Sequence, residues 1–173
     1  MKNLKYLLML ILFTGVVFPG CKKALDVKFN ATYHTDLNVD VSAGLRNVSF
    51  NESSTIDPAS DPNFSKYFDK IKEIEVQDIK VEITSITKNV NLVTGTLSIY
   101  NESRSAAWNM NDIPLEVGTV ITLDNSSGGW STVSQILKDK QTFTVHVEGE
   151  VDEGDVSFTM KVTITTKVTA NPL

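Results

Sequence analysis

The stretch Val156-Ser157-Phe158-Thr159-Met160-Lys161-Val162-Thr163-Ile164-Thr165 decides the fold class. Every second residue is apolar, and hydroxyls with one lysine fill the gaps. A β-strand sends successive side chains to opposite faces, so this stretch has one face for a core and one for water. Upstream, Phe143, Val145 and Val147 alternate with Thr142, Thr144 and His146. Asp152-Glu153-Gly154-Asp155 between the two predicts a hairpin turn. From Gln141 to Thr169, 13 of 29 residues are Thr or Val, the side chains that suit a pleated surface.

The same period recurs towards the amino terminus. Leu25, Val27, Phe29, Ala31 and Tyr33 alternate with polar residues, and Leu37, Val39 and Val41 predict a second strand. His34 falls between them beside Thr35-Asp36 and reads as a turn residue. Val48 and Phe50 give a weaker strand, and the polar run 51–60 with Pro58 reads as a loop. Asp61-Pro62 opens a helix, with Phe64, Tyr67, Phe68 and Ile71 as its buried stripe. Ile74 and Val76 share one parity and Ile79, Val81 and Ile83 the other, so Gln77-Asp78 marks a bulge. Leu97 and Ile99 mark a further strand, and Leu115 to Leu123 one or two more, broken near Gly118. Gly128-Gly129 precedes a short amphipathic helix carrying Trp130, Val133, Ile136 and Leu137 on one face. Strands without regular intervening helices predict an all-β chain: an antiparallel β-sandwich, immunoglobulin-like or related, with one or two short peripheral helices.

Composition bounds the rest. The chain has 173 residues, 41% of them hydrophobic, which suits one packed domain rather than a disordered polymer. One cysteine rules out an intrachain disulfide and a cysteine-rich zinc site. A net charge of −5 gives no support for binding nucleic acid through phosphates.

Residues 1–20 do not read as part of that domain. Lys2 and Lys5 precede an apolar run from Tyr6 to Phe18, too short for the about 20 residues of a spanning helix. A positive start, a short apolar core and a small residue before a cut site describe an export signal. Phe18-Pro19-Gly20-Cys21 follows, and it resembles a bacterial lipoprotein signal, of a looser kind similar to those of Bacteroidota lipoproteins. The resemblance implies cleavage between Gly20 and Cys21, and a diacylglycerol anchor with palmitate-like chains on the Cys21 thiol. Cleavage would leave 14 Lys+Arg against 21 Asp+Glu, a net −7. One acyl chain binds a membrane marginally, whereas two or three hold it permanently. Residues 21–24 then form the lipidated cysteine and a short tether, and 25–173 a single β-sandwich domain. Lys22, not Asp, follows the cysteine, and no acidic run comes after it, so the resemblance implies the outer membrane, on its periplasmic face first and the cell surface as the alternative.

A second resemblance lies within the domain. Phe68-Asp69-Lys70-Ile71-Lys72-Glu73-Ile74-Glu75-Val76 and the closing Val145-His146-Val147-Glu148-Gly149 are similar to segments of small uncharacterised Bacteroidota lipoproteins. That family implies a β-sandwich and transfers no activity or site.

Residues for chemistry are few. His146 would need a serine and a carboxylate to serve nucleophilic catalysis, and no nucleophile elbow, P-loop, dinucleotide fingerprint or HExxH pair occurs. No cofactor and no metal site is expected; Asp152, Glu153 and Asp155 lack EF-hand spacing. Trp108, followed by Asn109, Met110 and Asn111, is the candidate binding group, because an exposed indole among amides can stack on a sugar or anchor a peptide. Its alternative role, like that of Trp130, is to plug an end of the core. The sequence therefore predicts a non-enzymatic, membrane-anchored envelope lipoprotein. The alternative is a carbohydrate- or peptide-binding module using Trp108, Asn109 and Asn111, with a glycan or an envelope protein as partner.

Overall fold

The computed structural model describes residues 26–44 and 46–171. The signal segment, Gly20, Cys21, the tether and Leu25 lie outside the described residues. Eight strands form two antiparallel sheets: β1 (Val27–Val41), β2 (Val48–Ile56), β3 (Ile71–Ile86), β4 (Val90–Tyr100), β5 (Ser105–Leu115), β6 (Val120–Thr122), β7 (Phe143–Val151) and β8 (Val156–Ala170). One sheet has the order β1-β8-β3-β6 and the other β2-β7-β4-β5. Chain-neighbouring strands thus lie in opposite sheets, except for the hairpin β4–β5. Four strands over four in this order make an eight-stranded jelly roll, one of the sandwiches related to the immunoglobulin arrangement.

The alternation seen in sequence fills the space between the sheets. Leu37, Val39, Ile79, Val81, Ile83, Met160, Val162 and Ile164 face inward from one sheet; Leu92, Leu97, Ile99, Val145 and Val147 meet them from the other. Phe50 and Phe158 bridge the layers edge to face, with centroids 5.5 Å apart. Each fully buried aliphatic or phenyl side chain is worth about 1.5–3 kcal/mol. Exposed ion pairs such as Lys72–Asp26 (2.6 Å) contribute about 1 kcal/mol at most. The core, not the surface charges, holds the sandwich together.

The predicted bulge is present: pairing of β3 with β8 slips between Val76 and Asp78, and Gln77 is the extra residue. Both expected helices exist. Asp61 caps α1 (Pro62–Lys66), its carboxylate accepting from the amides of Asn63 and Phe64 at 2.9 Å. α1 is shorter than its stripe suggested: a 3-10 turn (Phe68–Lys70) follows, and Ile71 already belongs to β3. α2 (Gly129–Lys138) buries Val133, Ile136 and Leu137 and half-buries Trp130.

Four expectations change. His34 is not a turn residue, because β1 runs unbroken through it and pairs His34 with Thr163. The run 51–56 is strand rather than loop. The strand predicted from Leu115 onward instead ends there: Ser105–Leu115 form β5, and 116–119 turn before β6. Asp152–Asp155 is not a hairpin turn, since β7 and β8 sit in different sheets and the segment crosses between them. There the carboxylate of Asp152 accepts from the amide and side chain of Asn91, both at 2.8 Å, and those bonds hold its pKa below the usual carboxylate range. Glu153 pairs with Lys88 at 3.1 Å.

Candidate functional site

The outer face of the β2-β7-β4-β5 sheet is a grid set by strand register. Its first row is Ser49, Glu150, Thr94 and Asn111, read from β2 through β7 and β4 to β5. The next outward row is Asn51, Glu148, Thr96 and Asn109. Ser53, His146, Ser98 and Ala107 follow, then Thr55, Thr144, Tyr100 and Ser105. The grid holds no lysine or arginine.

Between the first two rows lies an inward-facing row: Phe50, Gly149, Gly95 and Met110. Its two central residues have no side chain, and the reason is visible. A Cβ on Gly149 would stand 2.5 Å from the carbonyl oxygen of Thr94 and 3.0 Å from the Phe50 ring. The two glycines let neighbouring backbones and the Phe50 ring close together beneath the face. Nearby, pairing of β4 with β7 slips between Leu92 and Thr94, and Asp112 on β5 takes a left-handed φ of 54°. A bulge bends its strand and re-aims side chains. The result is a hollow of about 640 Å³, floored by the glycine backbone and walled by the two polar rows. That volume lies within the range of small-ligand clefts. One wall is braced internally: the Thr96 hydroxyl donates to the Asn109 side-chain oxygen at 3.3 Å.

Trp108 shares β5 with Asn109 and Asn111 but faces the opposite way. Its indole is 6% exposed, and Nε1 donates to the carbonyl oxygen of Asp124 at 2.8 Å. The ring lies on the start of α2, where a Cβ on Gly129 would come within 2.6 Å of it. Asp124 is fixed in turn: its carboxylate accepts from the Ser126 hydroxyl (2.6 Å) and amide (2.9 Å), which lowers its pKa. Of the two roles the sequence offered Trp108, the structure shows the core plug and not the exposed aromatic; strand parity turns it into the core. Trp130 is half-buried against the core, with Nε1 donating to the Leu123 carbonyl at 3.0 Å.

No family model matches the chain, and no curated protein sequence does. Among solved structures it is similar to the decameric capsid protein of BFDV, at 8% identity over 83% of this chain and 99% of that one, with a TM-score of 0.43. It is also similar to a chain of mud crab tombus-like virus (8% identity, 95% of this chain, 98% of that one, TM-score 0.36). A third likeness is to Desmodium yellow mottle tymovirus (7% identity, 85% and 84%, TM-score 0.30).

The structure brings Asn109 and Asn111 to the hollow and removes Trp108 from it. It adds Ser49, Asn51, Thr94, Thr96, Glu148 and Glu150, which sequence reasoning missed. Their polar parity was visible, but only cross-strand pairing shows that they converge. His146 stands in the third row between Ser53 and Ser98. Its Nε2 lies 3.7 Å from the Glu148 carboxylate, beyond hydrogen-bond reach, and it bonds to neither serine. Among the described residues, no group of three or more His, Cys, Asp or Glu side chains is placed to hold a metal.

Proposed function

We propose that the protein is a non-enzymatic lipoprotein of the bacterial cell envelope, held by lipid on Cys21 at the periplasmic face of the outer membrane. It acts by presenting the jelly roll's surface to a partner rather than by catalysis. The observation that carries this reading is where the chain enters the domain. β1 begins at Val27, and only residues 22–26 separate it from Cys21. Five residues extend about 18 Å at most, so the entry end of the sandwich would face the bilayer.

Lysines lie at that end beside the capping carboxylates Asp57 and Asp61. Asp26 pairs with Lys72, and the carbonyl of Lys70 accepts from the amide of Asn171 at 2.8 Å. Lys140 lies 5.0 Å from the Phe68 ring and Lys66 5.1 Å from the Tyr67 ring, itself stacked on Phe29 of β1. Lys138 ends α2 at the same end. A lysine near anionic headgroups adds about 1 kcal/mol, which helps orient an anchored domain without holding it there alone. The opposite end carries Asp40, Glu116, Asp152 and Asp155, with Glu153 paired to Lys88.

Substituting Cys21→Ser tests the anchor. The variant is expected to move from the membrane pellet to the soluble fraction and to lose incorporation of labelled palmitate. Full retention in the membrane without label would sink the proposal.

A further inference from the structure

We infer that the hollow on the β2-β7-β4-β5 face binds a neutral oligosaccharide across the strands. The inference rests on the envelope reading only in that this face would then meet extracytoplasmic glycans.

The chemistry of the walls makes the selection. Glu148 and Glu150 offer acceptors without a cation beside them in the hollow. Asn51, Asn109 and Asn111 offer both donors and acceptors, and Thr94 and Thr96 add hydroxyls. Sugar hydroxyls also donate and accept, and a hydrogen bond to a carboxylate is about twice as strong as a neutral one. Anionic ligands, including uronic acids, phosphates and nucleic acid, would meet two carboxylates and no compensating charge. A peptide would find little apolar surface for an anchoring side chain, because Phe50, the apolar side chain of the lining, is only 6% exposed. A lipid chain would find no apolar wall.

The dimensions agree. The two polar rows stand two residues apart along each strand, about 7 Å, and cross four strands spaced about 4.8 Å, which gives a slot about 14 Å long. That is wide enough for a flat sugar ring and long enough for a short chain of them. The glycine backbone forms the floor, so the slot needs no side chain to move aside.

The test uses the full-length protein, solubilised from membranes, in native gels cast with dextran, laminarin, galactomannan or polygalacturonate. Retardation by at least one of the three neutral polysaccharides is expected, with none by polygalacturonate. Glu148→Ala and Thr96→Lys should each weaken that retardation at least about tenfold, and Asn109→Ala about fivefold. Asn30→Ala, on the other sheet's outer face, should leave it unchanged. Thermal melting of each variant verifies folding. No retardation by any neutral polysaccharide, equal retardation by polygalacturonate, or full binding in folded Glu148→Ala and Thr96→Lys each overturns the inference. Cys21→Ser should bind as the wild type does, so loss of the anchor and loss of the slot are read separately.

Discussion

The two outer faces of this sandwich share one core and differ in charge. On β1-β8-β3-β6, opposite charges sit directly across from one another. Lys161 stands between Asp36 and Glu82 and Lys167 faces Glu75, while along β3 Lys80 reaches Asp78 at 2.7 Å. On β2-β7-β4-β5, the grid has carboxylates, amides and hydroxyls and no cation. Cross-strand pairs of opposite charge stabilise a sheet by about 0.2–1 kcal/mol each, and charges along a strand discourage edge-to-edge association. The first face spends its side chains on its own sheet. The second leaves acceptors and donors open, which is what a ligand-binding face requires.

The strongest way to break this contrast is to fill the glycine row. Gly149→Ala drives a methyl group against the Thr94 carbonyl and should cost about 3 kcal/mol, read as a lower urea midpoint. It should also flatten the hollow, whereas alanine at an exposed position of the charged face should do neither.

A smaller effect is expected beneath the charged face. Tyr33 on β1 is buried, and its hydroxyl has no hydrogen-bond partner. Burial, with the nearby charge of Asp61, raises its pKa above the ordinary 10. The folded chain therefore keeps a proton that the unfolded chain releases, so Tyr33 contributes stability below pH 10 that is lost as pH rises further. Tyr33→Phe should remove that alkaline loss and, at neutral pH, stabilise by about 1 kcal/mol. Melting curves at pH 7 and pH 11 measure both. A Tyr33→Phe variant less stable at pH 7 would mean that the hydroxyl has a partner after all.

The smallest effect separates the faces most directly. Lys161→Ala should cost about 0.5 kcal/mol at low salt and almost nothing in 1 M salt, where charges are screened beyond about 3 Å. Glu148→Ala, by contrast, should leave stability within about 0.5 kcal/mol at either salt concentration. Equal salt dependence in the two variants would erase the distinction.

What could be read from sequence followed the physics of each position. The bulge at Gln77 was legible because a parity switch in a buried strand can only be a register slip. The unity of β1 was not. Thr35 faces inward at the sandwich edge, where its hydroxyl donates to the Ser54 hydroxyl at 2.6 Å. A polar residue at an inward position made a continuous strand look like two. Ser54 hid β2 in the same way. Trp108 left two readings open for a different reason: its amide neighbours suggested a wet surface, but they occupy the other face of the same strand. Asn109 and Asn111 could be nominated from sequence. Their meeting with Glu148, some forty residues away, depends on pairings that no local pattern encodes.

The position of β8 has a consequence for how the molecule is made. It is the second strand of its sheet, paired along its whole length with β1 on one side and from Phe158 onward with β3 on the other. Val27 meets Ala170, so the sheet stays split into two unpaired edges until nearly all the described chain is present. Contacts this distant in sequence slow folding. An emerging chain would carry β1 as an open, apolar-faced strand until β8 is made, the interval in which a holding chaperone matters most.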